Sequence, residues 1–143
     1  MDRFGVESIK NIDENIENTI PHNTKKTKTS IWKQFSEFCD VKNYTIDQNT
    51  TNENLATILK DWAFNMQKNN GEEYKEGVIK TMWNVTAKLL QNKYHCEYGR
   101  EIDPFSNVVF ESARAARNSK RRLLQAIPEN RKLNSLTLVL IPP

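Results

Sequence analysis

Apolar residues recur every three or four positions in four separate stretches of this chain, the spacing that lines up one face of an α-helix. Residues 24–42 place Ile31, Trp32, Phe35, Phe38 and Cys39 on one side. Residues 53–68 do the same with Leu55, Ile58, Leu59, Trp62 and Met66, and leave Phe64 on the far side. Residues 75–92 gather Val78, Ile79, Met82, Val85, Thr86, Leu89 and Leu90. Residues 105–125 gather Val109, Ala113, Ala116, Leu123 and Leu124, with Lys120 intruding on that face, so its stem must snorkel or the helix must bend.

Punctuation falls between these stretches. His22, Asn23 and Thr24 are capping candidates for the first helix, and Thr50 or Thr51 for the second. Asn69-Asn70-Gly71 is a stop signal, because Gly and Asn tolerate the left-handed backbone that ends helices. Residues 93–104 read as a connection, and Pro128 ends the last helical pattern. Ahead of Pro21, Ile9, Ile12, Ile16 and Ile20 mark a short amphipathic arm. The predicted fold is all-α, a four-helix bundle over residues 21–127 with that arm at 1–20 and a tail at 128–143. The tail's apolar run at 136–141 reads equally as a strand stub or an irregular end.

Composition narrows the function. The chain has 143 residues and 37% apolar content, enough for one helical core with polar ends. Neither the start nor any other stretch offers the roughly 20 apolar residues that span a bilayer. Cys39 and Cys96 lie far apart without metal-type spacing, which predicts a reduced intracellular setting. His95-Cys96 with Cys39 is the single metal set to weigh, and it lacks ligand spacing. No phosphate-cradling glycine loop, nucleophile elbow or nucleophile–base pairing occurs, so the expectation is a protein with no enzymatic activity, no cofactor, no metal and no small-molecule substrate.

Charge is more telling in its placement than in its total. The net charge is +3, yet residues 107–132 alone carry seven basic and two acidic residues, a balance of +5, while residues 1–20 stand at −3. On the fourth helix Arg114, Arg117 and Arg121 stack beside the apolar face. Lys25, Lys26 and Lys28 crowd the first turns of the first helix, with Lys33 facing outward, although cations there oppose the helix dipole at roughly 0.3–1 kcal/mol each. The outer face of the third helix carries Lys80, Thr81, Asn84, Lys88 and Gln91 and no acid. Lysines suit phosphates, and the amides of Asn or Gln suit base edges. Double-stranded DNA, held mainly by its phosphates, is the expected partner. The alternative is a helical interaction module, in which the arm or the 136–141 run docks on a partner or a second copy.

The order NTKKTKTSIWKQFSEFC, LATILKDWAFNM, GEEYKEGVIKTMWNVTAKLL, DPFSNVVFESARAARNSKRRLLQ resembles the N-terminal core-binding domain of tyrosine recombinases, the phage-integrase-like superfamily. It is most similar to the eukaryotic Crypton-type recombinases and the domesticated proteins derived from them. The features that carry the likeness are N-T-K-K-T at a helix start, the G-x-x-Y turn from Gly71 to Tyr74, and the D-P-F entry to the fourth helix. The resemblance implies a SAM-like orthogonal bundle that clamps duplex DNA in the nucleus while a separate domain cuts. The family's arginines, H-x-x-R-like motif and tyrosine nucleophile belong to that second domain and match nothing here. The resemblance therefore implies a DNA-binding half without its enzyme, a transposon-derived or domesticated fragment.

Overall fold

The computed structural model describes residue 5, residues 8–12, residue 14 and residues 22–126. Most of the arm, residue 127 and the whole of the tail at 128–143 lie outside the described residues, as do Ile16 and Ile20. Of the arm, residues 9–12 are helical, with Ile9 and Ile12 exposed.

The fold is all-α. Four long helices, α1 (His22–Lys42), α2 (Asn52–Asn65), α3 (Glu76–Tyr98) and α4 (Glu111–Ala126), account for most of the described chain. A single 3-10 turn, Val108–Phe110, leads into α4. No strand occurs among the described residues. Helix α2 packs on α4 and α3, and α3 lies between α1 and α4, which do not pack substantially on each other.

The core forms where the apolar stripes meet. Ile31, Phe35 and Cys39 of α1, Leu55, Ile58, Leu59 and Trp62 of α2, Ile79, Met82, Trp83 and Leu90 of α3, and Ala113, Ala116 and Leu124 of α4 are all buried. Aromatic edges tie α1 to α2, with Phe35 and Phe38 ring centroids 5.4 and 5.1 Å from that of Trp62. Each buried indole finds a hydrogen-bond acceptor. Trp62 Nε1 donates to Thr86 Oγ1 at 3.2 Å, and Thr86 passes its own proton to the Met82 carbonyl at 2.7 Å. Trp83 Nε1 donates to the Leu59 carbonyl at 3.0 Å. An indole N–H buried without such a partner would cost about 1–3 kcal/mol, so these bonds fix the register of α3 against α2.

Several boundaries differ from the sequence expectation. Residues 22–24 form the first turn of α1 itself rather than its caps. Thr51, not Thr50, caps α2, its hydroxyl accepting from the Asn54 amide at 3.1 Å. Thr50 is buried instead and bonds within the 45–50 loop. Helix α2 stops at Asn65, three residues early, because Met66 turns extended and buries its side chain. Gly71, at φ +83°, closes a tight turn in which its amide donates to the Lys68 carbonyl.

Helix α3 ends six residues later than its apolar stripe suggested, and the expected connection over 93–98 is helical. Tyr94 holds that extension: its ring is fully buried and its hydroxyl donates to the Asp47 carbonyl at 2.6 Å. Gly99, at φ +61°, ends the helix. Arg100 then reaches back, donating to the Thr50 carbonyl at 2.7 Å and lying 4.9 Å from the Tyr94 ring centroid. Helix α4 starts at Glu111 after a turn built by Asp103, whose carboxylate accepts from the Phe105 and Ser106 amides.

Three expected core residues are outside it. Val78 is 39% exposed and Leu123 57% exposed, and Leu89 is half-buried at the edge of a groove with Trp32. Phe64, expected on the open side, is half-buried beneath Lys120. Lys120 snorkels as its position required: its stem is covered, and its ammonium reaches Glu73 Oε2 at 3.2 Å.

Candidate nucleic-acid interface

The basic residues singled out from the sequence divide into two groups with different surroundings. The α4 arginines serve as ties between elements. Arg114 Nη1 donates to the Pro104 and Asn107 carbonyls, both at 3.0 Å, and so holds the 103–107 turn against α4. Arg117 Nη1 donates to Asn84 Oδ1 at 2.9 Å, while its guanidinium lies 4.7 Å from the Trp83 ring centroid. Burial, with the charges of Arg121 and Arg114 adding, pulls the Arg117 pKa below its ordinary value. Arg121 Nε donates to Glu76 Oε2 at 2.8 Å. These three side chains are half-buried, and the stripe that a helical wheel presents as open to anions is largely engaged with α3 and its neighbouring turn.

The lysines of α1 stand differently. Lys26, Lys28 and Lys33 are exposed, and none has a hydrogen-bond or ion-pair partner among the described residues. Lys25 is half-buried, and its carbonyl accepts from the Thr29 hydroxyl at 3.0 Å. On α3, Lys80 and Thr81 are exposed, and the Thr81 hydroxyl donates to the Gly77 carbonyl at 3.1 Å. Lys88 donates to Gln91 Oε1 at 3.1 Å, and Gln91 in turn donates to the Ile102 carbonyl. Asn84 is half-buried, its amide oxygen already occupied by Arg117.

What joins the lysines is the crossing of α1 over α3. Thr27 and Ile31 border a groove of about 630 Å³ with Val78, Thr81 and Met82, near the start of α3. Lys28 and Trp32 border a second groove of about 480 Å³ with Leu89, Lys93 and Cys96, near its end. Helix α1 thus straddles the middle of α3. Its buried residues begin at Ile31, and residues 24–30 are exposed save for the half-buried Lys25, so its first turns overhang the crossing.

Neither crossing segment contains a carboxylate. Residues 23–36 carry four lysines and no acid, and residues 77–96 carry three lysines and no acid. Of the flanking acids, Glu73 is paired with Lys120, Glu76 with Arg121 and Glu97 with Lys93, while Glu37 stands one turn beyond Lys33. Arg121, by hydrogen bond and charge, holds Glu76 below the usual carboxylate value. The dipole of α1 adds to the positive potential, since its first turn has no acid to offset it.

Among the described residues, no group of three or more His, Cys, Asp or Glu side chains is arranged to hold a metal. His95 pairs with Glu101, Cys96 is exposed, and Cys39 is buried elsewhere beneath α1. No described helix is long and apolar enough to cross a membrane. No protein-family model, curated protein or solved structure matches the chain.

Proposed function

We propose that this chain is a duplex-DNA-binding module without catalytic activity, working as the core-binding half of a tyrosine recombinase does and built on the same SAM-like plan. The observation that carries the proposal is the crossing of two acid-free helical segments, 23–36 and 77–96, which hold seven lysines between them. Such a surface meets a phosphate backbone with no carboxylate on either segment. Lys93 is committed to Glu97; the other six, Lys25, Lys26, Lys28, Lys33, Lys80 and Lys88, are the proposed duplex contacts. A nuclear site of action goes with this reading.

Six phosphate contacts give a log–log salt slope of about −5, and a loss of about 10³ in affinity between about 50 and 200 mM salt. Fluorescence anisotropy with a labelled duplex measures it. Lys28→Ala and Lys88→Ala should each reduce the slope by about 0.9. A parent protein that does not bind duplex DNA at low salt, or binds it with no salt dependence, sinks the proposal.

A second reading has its own observation. The 630 Å³ groove is lined by Ile31, Val78 and Met82, and Ile9 and Ile12 are exposed. An apolar groove and unpartnered isoleucines suit self-association. Sedimentation decides it: a dimer that dissociates when Ile9 and Ile12 are replaced by Ser, with no DNA retardation at low salt, favours this alternative.

A further inference from the structure

A polar notch of about 350 Å³ lies beside the crossing, between the outer flank of α1 and the turn that follows α2. Ser30 and Lys33 form one wall, and Lys68 and Asn69 the other. Helical periodicity sets Ser30 and Lys33 on one side of α1, while the opposite wall is held in place by its own backbone. The Lys68 amide donates to the Glu72 carbonyl at 3.0 Å, the Gly71 amide returns to the Lys68 carbonyl at 2.9 Å, and Asn70 Oδ1 accepts from the Glu72 amide at 3.0 Å.

The hydrogen bonds at the floor run in one direction. Tyr74 donates its hydroxyl proton to Gln34 Oε1 at 2.6 Å, and Gln34 Nε2 donates to Ser30 Oγ at 3.4 Å. Ser30 is therefore an acceptor within the chain, and its own proton is left to donate into the notch. Neither Lys33, Lys68 nor the Asn69 side-chain amide has a partner among the described residues. Two lysines, an asparagine and a serine thus line one concavity. A single carboxylate, Glu37, stands on its rim. A set made almost wholly of donors, with a charge of two cations against one anion, fits a monoanionic tetrahedral oxyanion.

We infer that this notch seats one phosphodiester of the bound duplex, held by Lys33 and Lys68 through charge and by Ser30 and Asn69 through hydrogen bonds. The inference rests on the DNA-binding reading and extends the contact surface from α1 onto the 68–72 turn. It makes Lys68, Asn69 and Ser30 binding residues, and it separates two kinds of contact. A lysine contact releases a counterion and a serine contact does not.

Anisotropy with a labelled duplex across a salt series distinguishes them. Lys68→Ala should reduce the slope by about 0.9. Ser30→Ala should leave the slope unchanged while weakening binding about three- to tenfold at every salt concentration. Lys42→Ala, at the far end of α1 and paired with Asp61, should match the parent. A parent that binds DNA, with Lys68→Ala and Ser30→Ala equal to it in slope and affinity, overturns the inference. A parent that ignores duplex DNA takes down the wider reading, and the notch is then judged alone by titrating inorganic phosphate against the amide NMR signals. Movement at Ser30 and Asn69 that is lost in Lys68→Ala retains an anion site there; no movement removes it.

Discussion

The guanidinium of Arg117 lies 4.7 Å from the centroid of the Trp83 ring, a residue fully buried between α2 and α4. Its Nη1 donates at the same time to Asn84 on α3. The cation therefore covers the open face of a core aromatic and ties α4 to α3. Arg117→Ala should cost about 2 kcal/mol, the size of a partly desolvated cation–π contact with its hydrogen bond, and lower the melting temperature by several degrees. Arg117→Lys should recover little, because an ammonium cannot both stack on the ring and reach Asn84. Thermal unfolding by circular dichroism measures both. The salt slope for DNA should stay close to the parent's in Arg117→Ala, and a full unit of slope lost with unchanged stability would return Arg117 to the DNA surface.

The Glu76–Arg121 pair makes stability respond to acid. Arg121 holds the Glu76 carboxyl below its ordinary value of 4.5. A depressed native pKa contributes stability that is present above the unfolded value and is lost as the pH falls through the native one. The parent should therefore lose stability below 4.5 in part because Glu76 is protonated away from Arg121. Glu76→Gln removes that component. Urea unfolding at about pH 6 and about pH 3 should show a smaller drop in Glu76→Gln than in the parent. Equal drops would mean that this half-exposed pair contributes nothing to acid sensitivity.

The two cysteines should differ sharply in reactivity. Burial, with Asp40 and Asp61 adding, pushes the Cys39 thiol up to about 12, whereas Cys96 is exposed at the rim of the groove below Trp32. Only the thiolate attacks a disulfide reagent, so Cys39 has almost none to offer at neutral pH. A thiol titration of the folded chain should report one fast group, and denaturation should release the second. Cys96→Ser should abolish the fast phase. A rapid reaction persisting in that variant would show that α1 opens readily over Cys39.

The helices were legible because their signal is local. Ile31, Phe35 and Cys39, or Leu55, Ile58, Leu59 and Trp62, mark a buried face by spacing alone, and all of them are buried. Lys120 was readable for the same reason as a misfit that must snorkel or bend the helix, and it snorkels. Helix ends were less legible. Tyr94 extends α3 because its hydroxyl meets the Asp47 carbonyl 47 residues away, a contact that no window around 93–98 contains. Lys68 and Asn69 read as part of a helix end and a stop signal, and their place opposite Ser30 follows only from how α1 lies across the turn.

The arginines show the limit most clearly. A helical wheel of α4 aligns Arg114, Arg117 and Arg121 and says nothing of what faces them. Asn84 lies 33 residues away from Arg117 and Glu76 45 residues from Arg121, yet packing α4 onto α3 brings each within hydrogen-bond reach. Lys26, Lys28 and Lys33 of α1 met no such partner among the described residues, and the α3 segment that α1 crosses carries no acid.

Periodicity and charge spacing, properties of neighbours along the chain, were enough to determine an all-α protein with its core faces and its basic segments. Which cations are spent inside the fold and which stay free for an anion was settled by helix packing. A side chain's partner is whatever lies within about 3 Å of it, and in a bundle that neighbour is set by the crossing of distant helices.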